Sequence, residues 1–142
     1  MGNLSCFLSQ NAIKAENEKF VASKRFLGPD NKPVEWEIQA ITSTEDEKLR
    51  RDCTKRVPVP GKKNQYTRET DYNLYLGKLA AKCTVFPNLH DKELQDSYGV
   101  MDADALLKKM LIAGEYADYL DKVQQVNGFD ATMEDLEEEV RD

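Results

Sequence analysis

Apolar and polar residues alternate almost without a break over residues 34–41, where Val34, Trp36 and Ile38 share one parity and Glu35, Glu37 and Gln39 the other. A period of two places successive side chains on opposite faces of a strand. Residues 20–27 also read as a strand, and Gly28-Pro29-Asp30-Asn31-Lys32-Pro33 between the two is dense in turn formers. The pattern predicts a β-hairpin with one apolar face. An isolated hairpin is marginal in water, so that face is expected to pack on helices or further strands.

The period then lengthens. Thr44 with Glu47 three residues on forms a capping-box pattern, predicting a helix over about 45–55 with Lys48, Arg50, Arg51 and Lys55 toward its C-terminal end. Val57-Pro58-Val59-Pro60-Gly61 stops it, and residues 62–68 read as an exposed loop. Thr70 or Asp71 caps a second helix, with Tyr72, Leu76, Leu79, Ala80 and Cys83 on one face, ending before Pro87. Asn88 or Asp91 opens a short helix to Tyr98, closed by Gly99. Asp102 caps a helix carrying Leu106, Leu107, Met110 and Leu111. Ala113-Gly114 reads as a corner before a helix bearing Tyr116, Tyr119, Leu120, Val123 and Val126, stopped by Asn127-Gly128. Thr132 caps a last amphipathic segment with Met133, Leu136 and Val140 on its apolar side. The expected fold is therefore α+β and mostly α: an N-terminal β-hairpin packed on a helical domain with a C-terminal αα-hairpin. The expected organisation is an arm over 1–18, a single domain over 19–128, and an acidic amphipathic segment over 129–142.

Composition supports one core. The chain has 142 residues, 40% hydrophobic and 32% charged, enough apolar material for a domain of this size. No apolar run approaches the ~20 residues of a membrane span, and the N-terminus lacks a signal-peptide pattern. Cys6, Cys53 and Cys83 are too few and too scattered for a disulfide framework, so the expected setting is a reduced, cytosolic compartment. Met1-Gly2 invites a myristoylation reading, but position 6 is Cys6 rather than the usual Ser or Thr.

Charge is segregated. The net charge is -6, from 20 Lys+Arg and 26 Asp+Glu, yet residues 48–68 carry eight basic and one acidic side chain, and residues 129–142 carry one and seven. A +7 island thus faces a -6 terminus. Lys62, Lys63 and Arg68 extend the island, Arg56 and Tyr66 belong to it, and phosphate contact with base stacking is one use of such a set. The net acidity and the absence of a nucleic-acid motif disfavour that use, which leaves a nucleic-acid-binding regulator built on 48–68 as the alternative function. A dock for an acidic protein segment fits better. Glu137, Glu138 and Glu139, beside Leu136, supply such a segment, which would let copies associate head to tail. Nucleophilic chemistry finds only Cys83 and His90, and Cys83 sits on an apolar helix face where an inert thiol is the default. Neither metal-ligand spacing nor a phosphate-binding glycine loop is present, so no enzyme, metal or cofactor is implied.

Several strings occur together in order: Ser23-Lys24-Arg25-Phe26, Pro33-Val34-Glu35-Trp36-Glu37-Ile38, Cys53-Thr54-Lys55-Arg56-Val57-Pro58-Val59-Pro60-Gly61 and Tyr75-Leu76-Gly77-Lys78-Leu79-Ala80. Cys83-Thr84-Val85-Phe86-Pro87-Asn88-Leu89, Leu94-Gln95-Asp96-Ser97-Tyr98-Gly99-Val100-Met101 and Gly114-Glu115-Tyr116-Ala117-Asp118-Tyr119-Leu120 follow. Over about residues 19–128 the chain resembles the XkdN-like family of phage tail-assembly chaperones, found in contractile-tail phages and prophages of Gram-positive bacteria. The resemblance implies a non-enzymatic helper in the host cytoplasm that binds the tape-measure protein before the tail tube polymerises, in several copies. It transfers no catalytic or ligand residue. The expected partner-binding residues are therefore those of the charge argument: Arg50, Arg51, Lys55, Arg56, Lys62, Lys63 and Tyr66, with Leu136 and Glu137–Glu139.

Overall fold

The computed structural model describes residues 4–129, so the segment capped by Thr132 lies outside the described residues. After an exposed 3-10 turn at Leu4–Phe7, the elements are β1 (Glu18–Phe20), β2 (Trp36–Ile38), α1 (Ser43–Asp52), β3 (Thr54–Pro58), β4 (Tyr66–Thr70), α2 (Tyr72–Cys83), β5 (Thr84–Phe86), α3 (Lys92–Ser97), α4 (Ala103–Met110) and α5 (Ala113–Val126). The fold is α+β, as expected.

The N-terminal hairpin is present, but its ladder is short. β1 and β2 are antiparallel, with Phe20 opposite Trp36 and Glu18 opposite Ile38. Residues 21–35 between them are mostly irregular. They narrow again at a turn where Gly28 N–H donates to the Lys32 carbonyl at 2.9 Å and Asn31 takes a φ of 64°. The alternation placed the faces correctly: Trp36 and Ile38 are buried, and Glu37 between them bonds Lys19 at 2.6 Å on the outer side. Its extent is overstated: between β1 and β2 the strands meet again only at the Leu27–Pro33 bridge, and residues 21–25, 35 and 40–41 belong to no strand.

β2 gains a second partner that the sequence did not announce. β5 pairs antiparallel to it, giving the order β1-β2-β5. Thr84 immediately follows α2, so the helix delivers its own end into the sheet.

α1 starts two residues earlier than the sequence pattern suggested. The capping box is Thr42 with Glu45, not Thr44 with Glu47: Glu45 N–H donates to Thr42 Oγ1 at 3.3 Å and Thr42 N–H to Glu45 Oε1 at 3.2 Å. These bonds from Thr42 hold the Glu45 carboxyl below the usual carboxylate range. Both sites fit the same motif; starting at Thr42 frees Asp46 to face α2. The helix ends at Asp52, so Lys55 belongs to a strand.

α2 is the axis of the core. Asp71 caps it, with Leu74 N–H donating to Asp71 Oδ1 at 3.1 Å. Tyr75, Leu76, Leu79, Ala80 and Cys83 are buried along it. α1, α4 and α5 all pack against this helix. Asp91 and Asp102 cap α3 and α4 as the sequence suggested, and Gly99 takes a φ of 69° after α3. The expected corner at Ala113-Gly114 is instead the first turn of α5; the chain bends at Leu111-Ile112, and Glu115 accepts the Ile112 N–H at 3.0 Å. A carboxylate three residues into the helix satisfies an end donor, which the extended Ile112 side chain cannot do.

Candidate partner-binding surfaces

The basic island is a β-hairpin, not a helix end followed by a loop. β3 and β4 pair with Thr54 opposite Thr70, Arg56 opposite Arg68 and Pro58 opposite Tyr66. Paired residues and those two along share a face. One face therefore reads, from base to tip, Thr54 with Thr70, Arg56 with Arg68, Pro58 with Tyr66. At the base the two threonine hydroxyls bond at 2.8 Å. Farther out, the Arg56 guanidinium lies 3.9 Å from the Tyr66 ring centroid, a cation–π stack that leaves its N–H edges outward. Gly61 and Asn64, at φ of 76° and 59°, shape the tip that carries Lys62 and Lys63.

Arg51 from α1 joins this face across a cleft of about 450 Å³ lined by Arg50, Arg51, Thr54, Lys55, Arg56 and Arg68. Arg50 differs from the rest. It pairs with Asp46 at 2.9 Å, and its guanidinium lies 4.7 Å from the Tyr75 ring centroid. The Tyr75 hydroxyl donates to the other oxygen of Asp46, and burial followed by that carboxylate pushes the phenol well above its ordinary range. Arg50 thus ties α1 to α2 and sits at the edge of the site. The structure brings Arg51, Arg56 and Tyr66 together with Arg68 and places Lys62 and Lys63 at the tip; Lys55 borders the cleft but stands opposite Glu69 on the hairpin's other face. Leu136 and Glu137–Glu139 lie outside the described residues.

A second surface went unread in the sequence. Asn73, Leu76, Lys108, Tyr116, Ala117, Leu120, Asp121 and Gln124 line a cleft of about 350 Å³ over α2 and α5. Gly77 permits this packing: a Cβ there would lie 2.9 Å from the Tyr116 hydroxyl. A glycine inside a helical pattern is the sequence signal for such close approach. Among the tyrosines, Tyr75 and Tyr119 are core, Tyr72 and Tyr116 are half-buried, and Tyr66 is exposed. Further apolar surface comes from Phe7 and Ile13, 77% and 98% exposed in the N-terminal arm, and from Phe86 on the outer strand β5.

Cys83 and His90 do not form a nucleophile. Cys83 is fully buried, its sulfur accepts the Asn127 amide at 3.4 Å, and burial pushes the thiol up to about 11. His90 is exposed in the loop before α3. Cys53 is also buried and its thiol raised by desolvation, whereas Cys6 is exposed. A disulfide-exchange reagent at neutral pH is accordingly expected to label Cys6 alone in the native protein and all three thiols after denaturation. Native labelling of Cys83 would contradict its placement.

No helix among the described residues is long and apolar enough to cross a membrane, and no group of three or more His, Cys, Asp or Glu residues there could hold a metal ion. Residues 4–141 match the family model described as phage XkdN-like tail assembly chaperone protein. The chain belongs to this family. Among its relatives is XkdN of the phage-like element PBSX of Bacillus subtilis (strain 168), 30% identical over 98% of this chain and 93% of that one. The protein YqbN of the same strain is 34% identical over 96% of this chain and 91% of YqbN. The crystal structure of YqbN superposes with a TM-score of 0.78 at 29% identity, covering 92% of this chain and 99% of that one. Tail assembly chaperones act on protein partners, which directs attention to the two clefts rather than to a reaction centre.

Proposed function

We propose that this tail assembly chaperone binds the tape-measure protein before the tail tube closes around it, several copies lining one long helical client. Family membership carries the reading; the geometry supplies a means. A client helix that is apolar on one face needs a groove with an apolar floor and a polar rim. The α2–α5 cleft offers Leu76, Ala117 and Leu120 as floor, with Lys108 and Asp121 at the rim. A non-catalytic, host-cytoplasmic role fits that chemistry.

Co-expression with the tape-measure protein from the same tail module is expected to raise that protein's soluble fraction and to yield a co-purifying complex. Ala117→Arg, which fills the groove from an exposed helix position, is expected to abolish co-purification while the far-UV dichroism stays unchanged. A folded wild-type chain that neither solubilises nor retains the tape measure would overturn the reading.

A further inference from the structure

The hairpin β3–β4 is charged in a way that its own fold does not reward. On the outer face Lys55 stands opposite Glu69, a complementary pair, but on the other face Arg56 and Arg68 stand directly opposite each other in the ladder, a like-charge pairing that destabilises a hairpin. Among the described residues, Arg51, Lys55, Arg56, Lys62, Lys63 and Arg68 form no ion pair; the pairs that do occur engage cations on other elements and Arg50. Both strands are largely exposed, so no core burial requires these side chains to be basic. The site is a ridge of cations with an aromatic at its centre, open on one face and built for an extended or helical acidic segment.

This chain carries such a segment. Residues 130–142 hold seven carboxylates against Arg141, with Met133, Leu136 and Val140 interspersed. Charge alone fits a contact with a neighbouring copy as well as one within the chain, so the tether decides. Asn127 is anchored where Ile41 N–H donates to its Oδ1 at 2.9 Å, one residue before the Thr42 cap of α1. From there α1 leads straight to the base of the hairpin, and a helix of that length spans about 15 Å. Residues 130–137 reach about 27 Å when extended but only about 12 Å when helical, so the extended form arrives. A tether this short presents the segment at an effective concentration on the order of millimolar, well above that of other copies in dilute solution.

We infer that the acidic C-terminal segment 130–142 docks on the basic β3–β4 hairpin of its own chain. The carboxylates of that segment are the ligand class that the guanidinium groups of Arg51, Arg56 and Arg68 recognise. The hairpin is thereby covered by an internal ligand, and an acidic partner gains access only by displacing it. This inference is independent of the tape-measure reading.

Zero-length carbodiimide coupling of the full chain tests it, using an equimolar mixture of ¹⁴N- and ¹⁵N-labelled protein at low micromolar concentration. Amide cross-links from Lys55, Lys62 or Lys63 to Glu137, Glu138 or Glu139 are expected, in isotopically homogeneous peptides. Their yield is expected to fall about fivefold or more at about 1 M salt, where the screening length shrinks to about 3 Å. It is expected to fall as far in Arg56→Gln/Arg68→Gln, both exposed substitutions that leave the core untouched. Cross-links absent from the hairpin lysines, or insensitive to both salt and the double substitution, overturn the proposal. Cross-links of which about half are mixed-isotope peptides, the share that random pairing of equal amounts gives, overturn the intramolecular form and assign the segment to a neighbouring copy.

Discussion

Trp36→Ala is expected to cost about 3–5 kcal/mol, the range for deleting a buried aromatic from a tight core. Trp36 is 1% exposed, its ring meets Tyr119 edge-on at 5.2 Å between centroids, and Phe26 lies 6.3 Å away on another side. These contacts join the N-terminal sheet to α5, so the vacated volume lies at a junction that neither layer can close alone. Domains of this size have about 5–15 kcal/mol in total. The substitution therefore removes a large share of it, and the urea midpoint should drop accordingly. Val85→Ala, on the half-exposed outer strand, serves as the control and is expected to stay within about 1 kcal/mol of the parent. A midpoint for Trp36→Ala within error of that control would mean that the sheet and α5 are not packed as described.

Asp46→Ala is expected to be the costliest polar substitution, at about 2–3 kcal/mol. One carboxylate serves two partners, accepting the Tyr75 hydroxyl on one oxygen and Arg50 Nε on the other. Removing it takes the acceptor from a wholly buried phenol and the counter-charge from a half-buried guanidinium. Glu47→Ala, one residue on and exposed, is expected to change stability by less than about 0.5 kcal/mol. The contrast is measured by denaturant melts of the three proteins side by side. Equal midpoints for Asp46→Ala and Glu47→Ala would remove the α1–α2 tie from the account. Because Arg50 and Arg51 are adjacent, loosening Arg50 also loosens the base of the basic face. The same variant should therefore lower the cross-link yield from the hairpin lysines.

What the sequence made legible was the set of positions with a single physical reading. Asp102 was such a cap; for α2 and α3 the sequence left Thr70 or Asp71 and Asn88 or Asp91 open, and the residues that accept the N–H three positions on are Asp71 and Asp91. Most of the α2 face followed from spacings of three and four, although Tyr72 is half-buried and the wholly buried tyrosine is Tyr75; Trp36 and Ile38 followed from alternation. The β3–β4 hairpin was missed because both strands are exposed and charged, so hydrophobic alternation has nothing to report. Weaker signs were present: β-branched Thr54, Val57, Thr67 and Thr70, and turn formers at Gly61 and Asn64. They lost to Pro58 and Pro60, which read as a stop and in fact lie at the end of β3 and beyond it. β5 was missed for a different reason. Three residues directly after a helix carry no periodicity, and only their pairing with β2 makes them a strand. The candidate site was legible as composition, but its face was not. That Arg56, Arg68 and Tyr66 point the same way depends on the register of two strands never foreseen.

The order β1-β2-β5 also has a consequence for synthesis. The middle strand is made early, yet its second neighbour begins at Thr84, and Asn127 must arrive before Ile41 has its hydrogen-bond acceptor. A ribosome exposes Trp36 long before the chain that buries it has been translated. The first forty residues therefore lack the neighbours that bury them until β5 and α5 have emerged. A tail assembly chaperone thus begins as a nascent chain whose own apolar face stays open until α5 has been made.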